Sequence, residues 1–138
     1  MVNFGDPRMI KDQVLAEKVF FVNRALLKQY ADASGDQNPI HQDEAFAKSV
    51  GLPDVIAHGM LTMALVGKYV SDIAGGSAKV LELGGRFTKP VIVPAGVDVD
   101  VTVSATVTEV ADGKVSLSLS ATSAGVKVLG MAKAVILQ

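Results

Sequence analysis

Gly59-Met60-Leu61-Thr62-Met63-Ala64-Leu65-Val66-Gly67-Lys68-Tyr69-Val70-Ser71-Asp72-Ile73 is the stretch on which the fold turns. Met60, Leu61, Met63, Ala64, Leu65, Val66 and Val70 cover nearly the whole circumference of the helix that this spacing predicts, so it should be buried on most sides. Lys68 and Asp72 interrupt the apolar run, leaving it too short and too charged to span a bilayer. Gly75-Gly76 ends it.

A helix of this kind needs a cover, and the residues after Lys79 supply one by changing period from helical to two. Val97, Val99, Val101 and Val103 alternate with Asp98, Asp100, Thr102 and Ser104, which predicts an antiparallel strand with one buried and one wet face. Asp112-Gly113 offers the positive-φ residues of a tight hairpin, and Val115-Ser116-Leu117-Ser118-Leu119 resumes the alternation. Ala124-Gly125 marks a further turn before a strand over Val126–Leu137. With a strand over Val80–Thr88 these make four consecutive strands of a meander, joined by an early strand over Val14–Val22. A sheet of about five strands is of ordinary size. The expected architecture is α+β, an antiparallel sheet wrapped around one buried helix.

Ahead of that helix, Asn23 can cap a helix whose apolar positions are Leu26, Leu27, Tyr30 and Ala31, ending near Ser34-Gly35. Asn38-Pro39 blocks its continuation, because the residue before proline is pushed out of the α region. A short helix over Asp43–Val50 is closed by Gly51 and Pro53.

Composition bounds the function. The 138 residues suit one domain over 1–138, and 49% hydrophobic content is ample for a core. A net charge of −1 gives no basic field, so nucleic acid is not an expected partner. With no cysteine, disulfides and thiolate metal sites are excluded, which fits a reducing cytoplasm. Met1–Asp12 carries Asp6 and lacks an apolar core, so a secretory leader is not expected. No membrane association is expected either.

The chemistry-bearing residues lie in Asp36-Gln37-Asn38-Pro39-Ile40-His41 and Ala57-His58-Gly59-Met60. Asp36 and His41 flank a helix-stopping Asn-Pro on an irregular loop, where a carboxylate and an imidazole can converge on one water. By spacing alone a local structural role is favoured: Asp36 making an Asx turn, His41 capping the next helix, His58 packed and hydrogen-bonded. Gly59 at a helix N-terminus exposes backbone N–H groups at the positive end of the dipole, a place for a polarised carbonyl, though it also reads as an ordinary helix start. A metal site assembled from His41, His58, Asp36, Asp43 and Glu44 matches no helical ligand pair, so no metal is expected.

The blocks Gly35-Asp36-Gln37-Asn38-Pro39-Ile40-His41, Ala57-His58-Gly59-Met60-Leu61, Gly85-Arg86-Phe87 and Lys89-Pro90-Val91 resemble the MaoC-like hydratases, the branch of the hot-dog superfamily that includes (R)-specific enoyl-CoA hydratases. Within that group the chain looks most like the catalytic β subunit of the actinobacterial (3R)-hydroxyacyl-ACP dehydratases, through Tyr30-Ala31-Asp32-Ala33-Ser34-Gly35-Asp36 and Ala57-His58-Gly59-Met60-Leu61-Thr62-Met63. The resemblance implies a hot-dog fold and reversible hydration of trans-2-enoyl, or dehydration of (3R)-3-hydroxyacyl, thioesters carried on CoA or acyl carrier protein. It implies Asp36 and His41 as a dyad acting through a water, the Gly59 N–H as carbonyl site, and Asn38, His58 and Met60 as supporting or substrate-binding residues. No cofactor is implied; the partner implied is an identical or related hot-dog subunit. Relatives often carry serine where this chain has Gly67. Two other classes stay open. A hot-dog thioesterase usually needs a carboxylate on or beside the central helix, where this chain has only Asp72 near the far end. A non-catalytic partner subunit would be expected to lose the dyad. Lys68, Arg86, Lys89 and Lys133 could meet an acidic carrier or its phosphates, or could be solvated surface charges.

Overall fold

The computed structural model describes residues 8–138. The part of the leader reading that falls on residues 1–7 lies outside them. The elements are β1 (Lys18–Val22), α1 (Arg24–Ser34), α2 (Glu44–Ser49), α3 (Gly59–Ala74), β2 (Val80–Phe87), β3 (Val99–Ala111), β4 (Lys114–Ser123), β5 (Val126–Lys127) and β6 (Leu129–Leu137). The strands form one antiparallel sheet in the order β1-β3-β4-β6-β2, with β5 paired to β4.

The alternating pattern decides which face is covered. Val101, Val103, Ala105 and Val107 of β3 and Val115, Leu117, Leu119 and Ala121 of β4 are buried, while Thr102, Ser104 and Thr106 alternate with them on the wetter face. Against the buried face lie Leu61, Val66, Tyr69, Val70 and Ile73 of α3. Asp112 and Gly113 both take positive φ, 55° and 74°, as the two-residue β3–β4 turn requires. Gly85 is needed for a different reason: a Cβ there would lie 3.2 Å from the Ala132 Cα, where β2 and β6 slip register.

Four expectations need correction. The early strand begins at Lys18, not Val14; Val14 makes an isolated bridge to Thr106, and the ladder breaks where the Ala16 carbonyl accepts the Tyr69 hydroxyl (2.7 Å). Val97 lies outside β3 and is exposed, since the chain is still turning through Gly96 (φ 72°). The meander is incomplete: β3, β4 and β6 follow in order, but β2 sits at the far edge beside β6, so its link to β3 crosses the sheet. The central helix is not covered all round either. Met60, Ala64, Lys68 and Asp72, spaced by four, form an exposed stripe, because the sheet wraps one side of α3.

Candidate active site

The loop after α1 is built from its own side chains. α1 closes at Gly35, whose N–H reaches the Ala31 carbonyl (2.9 Å). The Asp36 carboxylate then accepts the Asn38 N–H (3.1 Å), and the Asn38 side chain accepts the Ile40 N–H (3.2 Å), capping a 3₁₀ turn over Pro39–His41. Asp36 remains exposed, whereas that turn carries His41 inward to 7% exposure.

Two imidazoles meet there. His41 Nδ1 lies 2.7 Å from the Ile56 carbonyl and His58 Nε2 lies 3.1 Å from the Asp36 carbonyl. A carbonyl can only accept, so each of these nitrogens carries the proton, and in the neutral rings the lone pairs sit on His41 Nε2 and His58 Nδ1. The rings stack with centroids 3.8 Å apart, and Tyr30 packs on His58 at 4.8 Å. His58 is buried (1% exposed) and its Nδ1 has no hydrogen-bond partner among the described residues. Burial holds the His58 imidazole below the ordinary histidine range, against the opposing bond to the Asp36 carbonyl.

His58 also precedes α3, so Gly59 is the first residue of that helix. A cavity of about 320 Å³ opens at this terminus, lined among others by His41, Ala57, Gly59, Thr62, Phe87 and Lys89. Phe87 lies over Gly59: a Cβ on Gly59 would be 3.1 Å from its ring. The structure thus brings His41 and Gly59 to one cavity and sets Asp36 and His58 against His41, while Asn38 holds the loop. Met60 does not line the cavity and is 60% exposed. Gly67 lies against Leu83, away from the cavity. Of the four cations considered for a carrier, Lys89 lines the cavity and Lys68 pairs with Asp72 (3.1 Å).

Donor atoms of Asp36, His41 and His58 lie within 4.8 Å of one another. A tetrahedral zinc with bonds of about 2.0–2.2 Å draws its donors roughly 3.5 Å apart, so these side chains would have to close up to hold one. Thr62, Phe87 and Arg24 had no expected role. Thr62 was hidden within an apolar helical run, and Phe87 was quoted without a contact to give it meaning.

An antiparallel sheet wrapped on one long helix defines a hot-dog protein. Within that class the chain belongs to the MaoC-like family: the family model described as MaoC like domain matches residues 6–124. It is 40% identical over 77 residues to 3-hydroxyacyl-thioester dehydratase X of Mycobacterium tuberculosis, an alignment covering 56% of this chain and 26% of that protein. The chain thus spans about a quarter of that relative's length. Among solved structures, a MaoC-like dehydratase superposes with TM-score 0.91 at 33% identity, over 97% of this chain and 41% of that one. R-Hydratase PhaJ1 from Pseudomonas aeruginosa superposes with TM-score 0.80 at 30% identity, over 94% of this chain and 81% of that one.

Proposed function

We propose that the chain is a hydro-lyase of fatty acid metabolism that adds water to trans-2-enoyl thioesters, or removes it from (3R)-3-hydroxyacyl thioesters, on CoA or acyl carrier protein. The activities for which its relatives are named support the reaction class. The observation that carries the chemistry is the bond from His41 Nδ1–H to the Ile56 carbonyl, which leaves Nε2 as the basic nitrogen of a side chain that lines the cavity.

In hydration, Asp36 and His41 hold a water. As its O–H bond breaks, the proton passes to the dyad and the oxygen bonds to the β carbon. The π electrons move toward the thioester oxygen, and the dyad returns a proton to the α carbon. The Gly59 N–H, at the positive end of α3, stabilises the oxygen while it carries charge. Addition of both groups from one dyad is syn. Asn38 keeps Asp36 in place, and His58 anchors its carbonyl. A thioesterase reading lacks its carboxylate: Asp72 is held by Lys68 and does not line this cavity.

A second hot-dog subunit, identical or related, is the proposed partner. β2 is an edge strand with Leu81, Leu83 and Phe87 exposed, and such an edge is ordinarily covered. No helix of the described residues is long and apolar enough to cross a membrane.

The test is hydration of trans-2-enoyl-CoA by the purified chain, followed as loss of the enoyl chromophore, with product stereochemistry determined. Asp36→Asn and His41→Ala should each lower kcat by roughly 10²–10⁴-fold, the usual worth of a general acid or base; Tm should change little for the exposed Asp36 and fall for His41, whose buried ring bonds the Ile56 carbonyl. Near-normal turnover in either folded variant would remove the dyad. Thiol release without enoyl consumption would favour the thioesterase.

A further inference from the structure

Arg24 is the first residue of α1, and its guanidinium joins three segments that lie apart in sequence. Nε–H donates to the Val93 carbonyl (2.6 Å), and one terminal nitrogen pairs with Asp54 (2.8 Å) and Glu44 (3.2 Å). The Asp54 carboxylate also accepts the Val55 N–H (2.7 Å). Arg24 and Asp54 are largely shielded, with side chains 24% and 17% exposed.

Two of these segments, 55–57 and 91–93, form a short ribbon beside the catalytic loop. Val93 N–H donates to the Val55 carbonyl and Ala57 N–H to the Val91 carbonyl, both at 2.8 Å, with Ile56 opposite Ile92. Ile56, in the middle of the ribbon, meets the catalytic loop twice: its N–H donates to the Ile40 carbonyl (3.2 Å) and its carbonyl accepts His41 Nδ1–H (2.7 Å). The acceptor that sets the His41 tautomer therefore sits on a ribbon with few bonds of its own, anchored at one end by Arg24.

We propose that Arg24 is a positioning residue for His41, acting through the 55–57/91–93 ribbon; in its kinetic consequence this rests on the hydration reading above. The planar guanidinium can serve the Val93 carbonyl and the Asp54 carboxylate together. An ammonium is a point donor and cannot reproduce that fork. When the ribbon end is released, the Ile56 carbonyl moves off Nδ1–H and the ring is free to take the Nε2–H tautomer, which leaves no lone pair on Nε2 for the water.

The decisive measurement is the ring ¹H–¹⁵N spectrum of His41, read beside kinetics. Wild type should show the Nδ1–H tautomer. Arg24→Ala should show a growing Nε2–H population and a kcat lowered roughly tenfold to hundredfold, as a displacement near 1 Å can cause, with KM nearly unchanged. Guanidinium ion at low millimolar concentration should restore part of the loss, and Arg24→Lys should not. Asp54→Asn keeps the cap on Val55 and removes the charge, so it should move both readouts in the same direction by less, even where Arg24→Ala fails to fold. An unchanged His41 tautomer and unchanged kcat in whichever of these variants folds would overturn the proposal. A wild type without hydratase activity would instead overturn the proposed function, leaving the tautomer spectrum to decide on Arg24.

Discussion

Gly59→Ala is expected to leave the fold close to its present stability while removing most of the activity. A Cβ built at residue 59 lies 3.1 Å from two ring carbons of Phe87. Carbon contacts are most favourable at about 3.5–4.0 Å, so the ring must retreat by roughly half an ångström. Phe87 is 53% exposed, so its ring can move without a core rearrangement. Against that strain, alanine is favoured over glycine in a helix by roughly 1 kcal/mol in the interior and less in the first turn. The two effects oppose, and the net change should stay within about 1 kcal/mol. Catalysis is affected differently. The new methyl is no larger than a water, roughly 30 Å³ of liquid, in a cavity of about 320 Å³, so it does not fill the site. It does stand beside the N–H that should receive the thioester oxygen. Alanine keeps that N–H, but a methyl that displaces the oxygen from it forfeits the bond, and loss of one such bond costs roughly 10²–10³-fold in kcat; that is the expected loss, with a much smaller change in KM. Thermal melts and enoyl-CoA hydration rates on the same preparation check both halves. A Gly59→Ala enzyme with wild-type kcat would show that the carbonyl does not lie on this N–H. A large drop in Tm would show that Phe87 is held more rigidly than its exposure suggests.

Two other perturbations follow from the same geometry. Burial depresses the folded-state pKa of His58, so protonation favours the unfolded chain; its stabilising contribution is complete above pH 6.5 and is lost as pH falls below that value. His58→Gln should therefore flatten the acid side of a urea-midpoint profile, and identical acid slopes in both proteins would refute a neutral buried ring. Leu81→Asp, on the exposed edge strand β2, should shift the chain toward monomer in light scattering if that edge seats a partner; an unaltered mass in an oligomeric wild type would place the interface elsewhere.

Local patterns carried most of the architecture. Period-two alternation at Val97–Val103 and Val115–Leu119 marked strands because a valine or leucine on the covered face must turn away from water, and that demand is written in neighbouring residues, although Val97 itself falls outside β3. The α1 cap was legible for the same reason. Asn23 accepts the Leu26 N–H three residues on, a bond that needs no distant partner, whereas α2 is capped by Asp43, which accepts the Phe46 N–H, and not by His41 as its spacing suggested. Strand order was not legible in this way. Nothing in Val80–Phe87 says that its neighbour is β6 and not β3, since the strand buries no side chain fully and so carries no marked face to set against either. The exposure of Met60 was equally hidden, because it depends on where the sheet stops wrapping α3.

The candidate site divides along the same line. The sequence by itself determined that a carboxylate and an imidazole share a helix-breaking loop and that a glycine opens a long apolar helix, since Asn-Pro and the change of period act over a few residues. The family resemblance gave those residues expected roles. Only the tertiary structure brought Ile56 to His41, His58 to the Asp36 carbonyl and Arg24 to the ribbon, contacts spanning 15, 22 and 69 residues. The His41 tautomer, on which the proposed proton transfer depends, follows from the first of these. Such contacts escape a sequence reading because a backbone carbonyl offers the same acceptor at every residue, and which one meets a given imidazole is decided by the packing of the whole chain.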